Sequence, residues 1–208
     1  MIQAIVFDFG NVLGFFDYDL TVRNLAPHSS LPPEVIRREI YGGELEDAYE
    51  RGRLTSEEFL ARLRQVCRLR CSDEELVAGY VDMFWRNEEV CRLIPRLARA
   101  YRLVLGSNTT ELHSRHFRRH FADALRHFQG LVLSHEVGAR KPRPEFYARC
   151  VLAAGCPPRD CLFIDDLPAN VAGAEACGLK GLLYRPGEDL AGQLLSLGVR
   201  LRPEPHGP

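Results

Sequence analysis

The segment that decides the fold is Ala4-Ile-Val-Phe7, followed directly by Asp8-Phe9-Gly10-Asn11. An apolar run without polar alternation is typical of a strand buried on both faces, as in a parallel sheet. Similar runs recur at residues 103–105, 131–133, 162–164 and 181–184, and between the later ones lie segments with helical spacing, at residues 88–100, 144–154, 168–177 and 190–197. This alternation predicts an α/β protein with a doubly wound, Rossmann-like parallel sheet.

The stretch from residue 16 to 87 has a different character, because it contains no convincing strand pattern. Apolar residues recur three and four apart in four segments, 33–41, 44–51, 56–66 and 72–85, and Ser56 and Ser72 are the predicted N-caps of the last two. We therefore predict a core formed by residues 1–15 and 88–201, a helical-bundle cap of residues 16–87 inserted after the first strand, and a frayed tail at residues 202–208.

Composition excludes several classes of protein. The chain has 208 residues, of which 46% are hydrophobic and 26% charged, as in an ordinary globular protein. A net charge of -1 offers no positive field for nucleic acid or an acidic membrane. The seven cysteines are odd in number and form no CxxC pair, which favours reduced, mostly buried thiols. Neither a signal peptide nor a membrane-spanning run is recognisable, so we expect a cytoplasmic protein; its oligomeric state stays open.

Polar residues follow each of the first four predicted strands. They are Asp8, Ser107-Asn108, Arg140-Lys141 and Asp165-Asp166. Because parallel strands end at one edge of the sheet, these side chains should converge there. Adjacent carboxylates repel one another and are normally reconciled by a hard divalent cation, for which magnesium is the natural candidate. Magnesium commonly binds phosphate as well, and Lys141 and the Ser107 hydroxyl would offset the phosphate's charge.

Structural alternatives to these assignments remain open. Asp165-Asp166 could cap the helix predicted from residue 168, and Ser107-Asn108-Thr109 could be an N-cap. Phe15, Phe16 and Tyr18 fit a substrate pocket and the packing of a hinge equally well. A further set has helical spacing among arginines and is interpreted as a solvated helix face: His113, His116 and His120.

Four motifs occur in order along nearly the whole chain: FDFGNVL (residues 7–13), LGSNTT (105–110), GARKPRPEFY (138–147) and FIDDLPANVAGAEACG (163–178). Together they resemble the motifs of the haloacid dehalogenase (HAD) superfamily of aspartate-nucleophile hydrolases. The forms FDFGNV and DDLPAN, with the segments YERG (49–52) and SEEF (56–59), are most similar to the branch containing sugar-1-phosphate phosphatases and the phosphatase domain of soluble epoxide hydrolases.

This resemblance implies a role for each matching residue. Asp8 would attack phosphorus and form an aspartyl-phosphate. Ser107 would bind a phosphoryl oxygen beside Asn108, and Lys141 would neutralise the nucleophile and the phosphate. The magnesium ligands would be Asp8, Asp166 and the Gly10 carbonyl, with Asp165 and Asn170 ordering the residues around them. The implied activity is a magnesium-dependent hydrolysis of a small phosphorylated metabolite, such as a sugar 1-phosphate.

Gly10 departs from the family pattern. Most phosphatases of the superfamily have an Asp here, which protonates the leaving group, and general acid–base catalysis is typically worth ~10²–10⁴ in rate. Turnover would then be slow or limited to good leaving groups, unless Asp17, Asp19 or a water took over the role. The alternative is a protein that binds a phosphorylated ligand with very weak or no turnover. The helical cap would favour small substrates, with selecting residues in 41–53 and 15–19.

Overall fold

The computed structural model describes residues 1–202, so the predicted tail lies outside the described residues from 203 onward. Its strands are β1 (Ala4–Phe7), β2 (Gly14–Phe16), β3 (Phe84–Arg86), β4 (Arg102–Ser107), β5 (Gly130–Leu133), β6 (Cys161–Asp165) and β7 (Lys180–Leu183). Its helices are α1 (Tyr18–Leu25), α2 (Pro33–Ile40), α3 (Glu44–Glu50), α4 (Ser56–Val66), α5 (Asp73–Val81), α6 (Glu88–Ala98), α7 (Glu111–His120), α8 (Ala122–Leu125), α9 (Ser134–Val137), α10 (Pro144–Ala154), α11 (Pro168–Ala176) and α12 (Leu190–Ser196). Two short 3₁₀ turns span Ala26–His28 and Pro158–Asp160.

The centre of the fold is a five-stranded parallel sheet with the order β5-β4-β1-β6-β7. Successive side chains of β1 point to opposite faces. Ile5 and Phe7 pack into an apolar cluster with α6, α7 and α12, whereas Ala4 and Val6 pack into a second cluster with α10. The sheet is therefore covered by helices on both faces, which confirms the predicted α/β architecture.

Helices α1 to α5 form the insertion, and their apolar residues build a third cluster. The prediction of four helices is wrong in number, because α1 precedes them: the Asp17 side chain accepts a hydrogen bond from the Asp19 N–H and starts this helix. Thr55, not Ser56, caps α4, through a reciprocal capping box with Glu58. The predicted cap of α5 at Ser72 is confirmed, again by a capping box.

A two-stranded antiparallel ribbon joins the insertion to the core. β2 pairs with β3, placing Gly14 opposite Arg86 and Phe16 opposite Phe84. The expectation of no strand between residues 16 and 87 is therefore wrong, and the helix expected at 72–85 ends at Val81. The predicted division into core and cap stays a prediction, and this ribbon straddles its first boundary.

The seven cysteines are all free thiols, and four of them are buried. Among residues 1–202, no helix is both long and apolar enough to cross a membrane.

Candidate active site

Three carboxylates meet where the central strands end. Asp8 follows β1, Asp165 is the last residue of β6, and Asp166 comes next. Phe7 is paired with Ile164, so β1 and β6 reach the edge of the sheet side by side. One oxygen from each carboxyl group lies within 4.8 Å of the other two. The predicted convergence of these residues is present in the structure.

Lys141 lies between two of these carboxylates. Its Nζ is 2.6 Å from Asp8 Oδ1 and 2.8 Å from Asp165 Oδ2, and its side chain is 1% exposed. The Asn108 side chain fixes the Lys141 backbone, because Nδ2 donates to the Lys141 carbonyl at 3.2 Å and Oδ1 accepts from the Lys141 N–H at 2.8 Å. Asn108 thus positions the lysine from the end of the neighbouring strand β4.

Negatively charged groups outnumber positively charged ones in this cluster of three carboxylates and one ammonium. Burial raises the pKa of Asp8 well above its usual value; Asp165 and Asp166 raise it further, while Lys141 lowers it. Burial and Asp165 also raise the pKa of Asp166, against the hydrogen bond from Asn11. Burial alone would lower the pKa of Lys141, but Asp8 and Asp165 raise it overall, so the ammonium stays charged. One ammonium does not offset three carboxylates.

The donor set fits a hard cation. Both oxygens of Asp165 are occupied, Oδ2 by Lys141 and Oδ1 by the Leu167 N–H and Asn170 Nδ2, each at 2.9 Å. By contrast, the hydrogen bond and the ion pair that Asp8 makes within the described chain both go to Oδ1. Oxygen ligands with excess negative charge suit magnesium, so the residues present match such an ion.

Ser107 and Asn108 lie at the end of β4, next to Asp8. Ser107 is buried and its Oγ donates to the Asn108 carbonyl at 3.3 Å. The alternative that this segment caps a helix does not hold, because Thr110 is the N-cap of α7. Nor does a side chain cap α11, since its N-cap residue is Leu167.

Gly10 lies under the ring of Phe16. A Cβ at Gly10 would come within 2.9 Å of Phe16 Cε1, closer than such atoms normally approach. A side chain at position 10 would therefore require the Phe16 ring to shift.

Neither Asp17 nor Asp19 supplies the missing side chain. Asp17 caps α1 and faces Arg23, while Asp19 forms an ion pair with Arg37 on α2. Both carboxylates are engaged within the insertion.

A small cavity of about 60 Å³ separates Gly10 and the ends of the core strands from the insertion. The residues around it include aromatic side chains from the insertion and carboxylates from α3: Phe16, Tyr18, Glu46 and Glu50. Of the three aromatic residues that could line a pocket or pack a hinge, Phe16 and Tyr18 line the cavity. Phe15 packs on Trp85 in the ribbon, at 5.9 Å between ring centroids. A larger cleft of about 720 Å³ lies between α4, α5 and α7 and contains none of the predicted site residues.

The sequence did not identify Glu46 and Glu50 individually, although both fall in the stretch expected to select the substrate. Their spacing of four residues on α3 is the signal that places them on one helix face.

The interpretation of a solvated histidine face is wrong for His113, which is buried, stacks on Tyr80 at 4.3 Å between centroids and lines the cavity. Burial lowers the pKa of His113 to about 3, so its ring is neutral.

The chain matches the haloacid dehalogenase-like hydrolase family over residues 2–178. It belongs to this family and is a hydrolase. It is 31% identical to a phosphatase of Mycobacterium tuberculosis, with 96% of this chain and 97% of that protein covered. It is 26% identical to the D-ribitol-5-phosphate phosphatase of Bacteroides thetaiotaomicron, over 91% of this chain and 95% of that one.

A solved structure has the same fold. It is a HAD family enzyme of Bacteroides thetaiotaomicron in complex with magnesium and inorganic phosphate, with a TM-score of 0.83 and 23% identity over 93% of this chain and 99% of that one. The inserted helices are thus part of a fold shared along almost the whole of both chains.

Proposed function

We propose that this protein is a magnesium-dependent phosphatase that hydrolyses a small phosphorylated metabolite through an aspartyl-phosphate on Asp8. The observation that carries the proposal is the position of the Lys141 ammonium, 2.6 Å from Asp8 and 2.8 Å from Asp165, with Asp166 beside them. Two relatives that match along almost their whole length are phosphatases, which supports the same reaction class.

In this mechanism, a carboxylate oxygen of Asp8 attacks phosphorus. Lys141 stays charged, so it holds Asp8 in place and offsets the charge that accumulates on the phosphoryl oxygens. Ser107 Oγ and Asn108 bind those oxygens from the end of β4. Water then attacks the phosphorus of the aspartyl-phosphate, the Asp8 oxygen–phosphorus bond breaks, and inorganic phosphate leaves.

A magnesium ion held by Asp8, Asp166 and the Gly10 carbonyl would supply further positive charge at the phosphoryl oxygens. Asp165 is suited to a different task, because Lys141, Leu167 and Asn170 occupy both its oxygens. It orients Lys141 and the loop that carries Asp166.

The size of the cavity supports a small substrate. About 60 Å³ is far below the ~300–1,000 Å³ typical of pockets for organic ligands, so this space favours a compact substrate over a bulky one. Aromatic rings of Phe16 and Tyr18, with the carboxylates of Glu46 and Glu50, suit an aliphatic or sugar skeleton with hydroxyl groups. A sugar phosphate, including a sugar 1-phosphate, fits this lining.

A second candidate function is binding of a phosphorylated ligand without turnover. The observation that favours it is that position 10, where the family normally has an acid, is a glycine, with Phe16 Cε1 2.9 Å from where a Cβ would lie.

The deciding experiment measures phosphate release from a panel of sugar phosphates, alkyl phosphates and acyl phosphates, with magnesium or with EDTA. The wild type is compared with Asp8→Asn. Release that requires both magnesium and Asp8 supports the phosphatase. Thermal stabilisation by magnesium and phosphate together, with no release from any compound, supports the binding protein instead.

A further inference from the structure

The cavity beside Gly10 contains an acid from the insertion. Glu50, the last residue of α3, lines this cavity together with Gly10, Ser107 and Asn108. The phosphoryl group would lie against Ser107 and Asn108, so its leaving group would extend away from Asp8 and into the cavity. Glu50 is therefore on the side where the leaving oxygen needs a proton.

The surroundings of Glu50 favour its acid form. The residue is 8% exposed, and its nearest cation is Arg140, whose Nε lies 2.7 Å from Oε2. The Arg140 N–H does not point at this oxygen, which accepts no hydrogen bond from the described residues. Burial raises the pKa of Glu50 to about 7, with Arg140 and Lys141 opposing and Glu46 and Asp47 adding to the rise.

The other titratable groups near this cavity are less suited than Glu50 to donate a proton. Burial raises the pKa of Glu46 as well, but its Oε2 accepts a hydrogen bond from the Gly42 N–H at 2.5 Å. The hydrogen bond from Arg51, followed by that from Arg140, lowers the pKa of Asp47 to about 2. Burial raises the pKa of Tyr18, and His113 is neutral.

Contacts with the core fix the position of α3. Arg140 also bonds Asp47 Oδ1 at 2.8 Å, and the Tyr49 hydroxyl accepts from the Leu112 N–H at 3.1 Å. Gly52, with φ +65°, packs directly on the His135 carbonyl. Glu50 is thus held over the strand ends by three neighbours on the same segment.

We propose that Glu50 is the proton donor for the leaving group, in the role that Gly10 cannot perform. This inference rests on the proposed phosphatase function. As the Asp8 oxygen bonds to phosphorus, the bond from phosphorus to the leaving oxygen breaks. That oxygen keeps the bonding electron pair and takes the proton of the Glu50 carboxyl group. The products of this step are a free alcohol, the aspartyl-phosphate and the Glu50 carboxylate.

The test compares Glu50→Gln with Glu46→Gln, a matched change one turn earlier on the same helix. The measured quantity is kcat/KM, which reports the steps up to departure of the leaving group, for an alkyl phosphate and for acetyl phosphate. An alkoxide needs a proton to leave, whereas acetate does not. We expect Glu50→Gln to lower kcat/KM about 10²–10⁴-fold for the alkyl phosphate and less than about threefold for acetyl phosphate. Glu46→Gln should not separate the two substrates.

The pH profile gives a second readout. For the alkyl phosphate, kcat/KM of the wild type should fall above pH 7, and this fall should be absent with acetyl phosphate and in Glu50→Gln. The wild-type profiles alone test the proposal if the variant does not fold. An equal loss for both substrates, or no loss, overturns the role of Glu50. A wild type that releases no phosphate, or an active Asp8→Asn, overturns the phosphatase function itself.

Discussion

The ring of Phe16 occupies the space next to Gly10, at 2.9 Å from the position of a Cβ on that residue. Phe16 belongs to β2 of the ribbon and lines the cavity. Its ring can pack this close to the backbone because residue 10 has no side chain. Introducing the Asp that most family members carry at this position therefore affects the packing of Phe16 as well as the chemistry of the site.

Gly10→Asp should lower the free energy of unfolding by about 1–3 kcal/mol, because the new side chain overpacks against the ring. In a Phe16→Ala background the same change should cost less, with a coupling energy of at least about 0.5 kcal/mol. Urea unfolding of the four proteins measures this cycle. Additive effects would show that the ring does not block the position.

Lys141→Met should lower the free energy of unfolding by about 3–5 kcal/mol in metal-free buffer, because it leaves Asp8 and Asp165 buried without their shared cation. Lys180 is the chain's other lysine and is exposed, so Lys180→Met is the control and should change stability by less than about 0.5 kcal/mol. Equal effects of the two substitutions in urea unfolding would contradict the structural importance of the Lys141 contacts.

Gly52→Ala and Gly42→Ala form a matched pair. Both glycines have positive φ, +65° and +78°, but a Cβ at Gly42 meets nothing within 4 Å, whereas one at Gly52 would overlap the His135 carbonyl oxygen. Gly42→Ala should cost about 1–2 kcal/mol for the backbone conformation alone. Gly52→Ala should cost about 1–3 kcal/mol more and speed amide hydrogen exchange in α3. Similar costs would show that Gly52 does not dock on the core.

Glu50→Gln should change how stability depends on pH. The folded pKa of Glu50 is raised from 4.5 to about 7, so its contribution is fully present below about pH 4.5 and is lost as the pH rises through 7. Relative to wild type, the variant should gain up to about 3 kcal/mol between pH 4.5 and 8. Denaturant unfolding at several pH values measures the difference. A difference that does not vary with pH would place the carboxyl group in a less buried environment.

The sequence predicts the parts of the molecule that depend on local pattern. Fully apolar strands such as β1, and the polar residues at their ends, are recognisable because burial on both faces leaves no alternation. Ribbon β2–β3 escaped prediction because each strand has three residues and its partner lies about 70 positions away, so only tertiary pairing defines it. Its bulky residues at 84–86 also continue the helical spacing before them.

The orientation of the insertion over the core could not be predicted, because it depends on contacts between distant segments. Glu50 faces the cavity through the docking of α3 on Arg140 and the loop at His135. His113 is buried for the same reason: α7 packs against Tyr80 of α5, although arginines surround the histidine in the sequence.

Arg140 and Lys141 are consecutive residues with partners on opposite sides of the cavity. The guanidinium bonds Asp47 of α3 and lies 2.7 Å from Glu50, while the ammonium pairs with Asp8. A single peptide unit therefore joins the residue that contacts α3 to the residue that pairs with Asp8. A displacement of α3 would therefore act on Arg140, whose neighbour in the chain is the cation paired with Asp8.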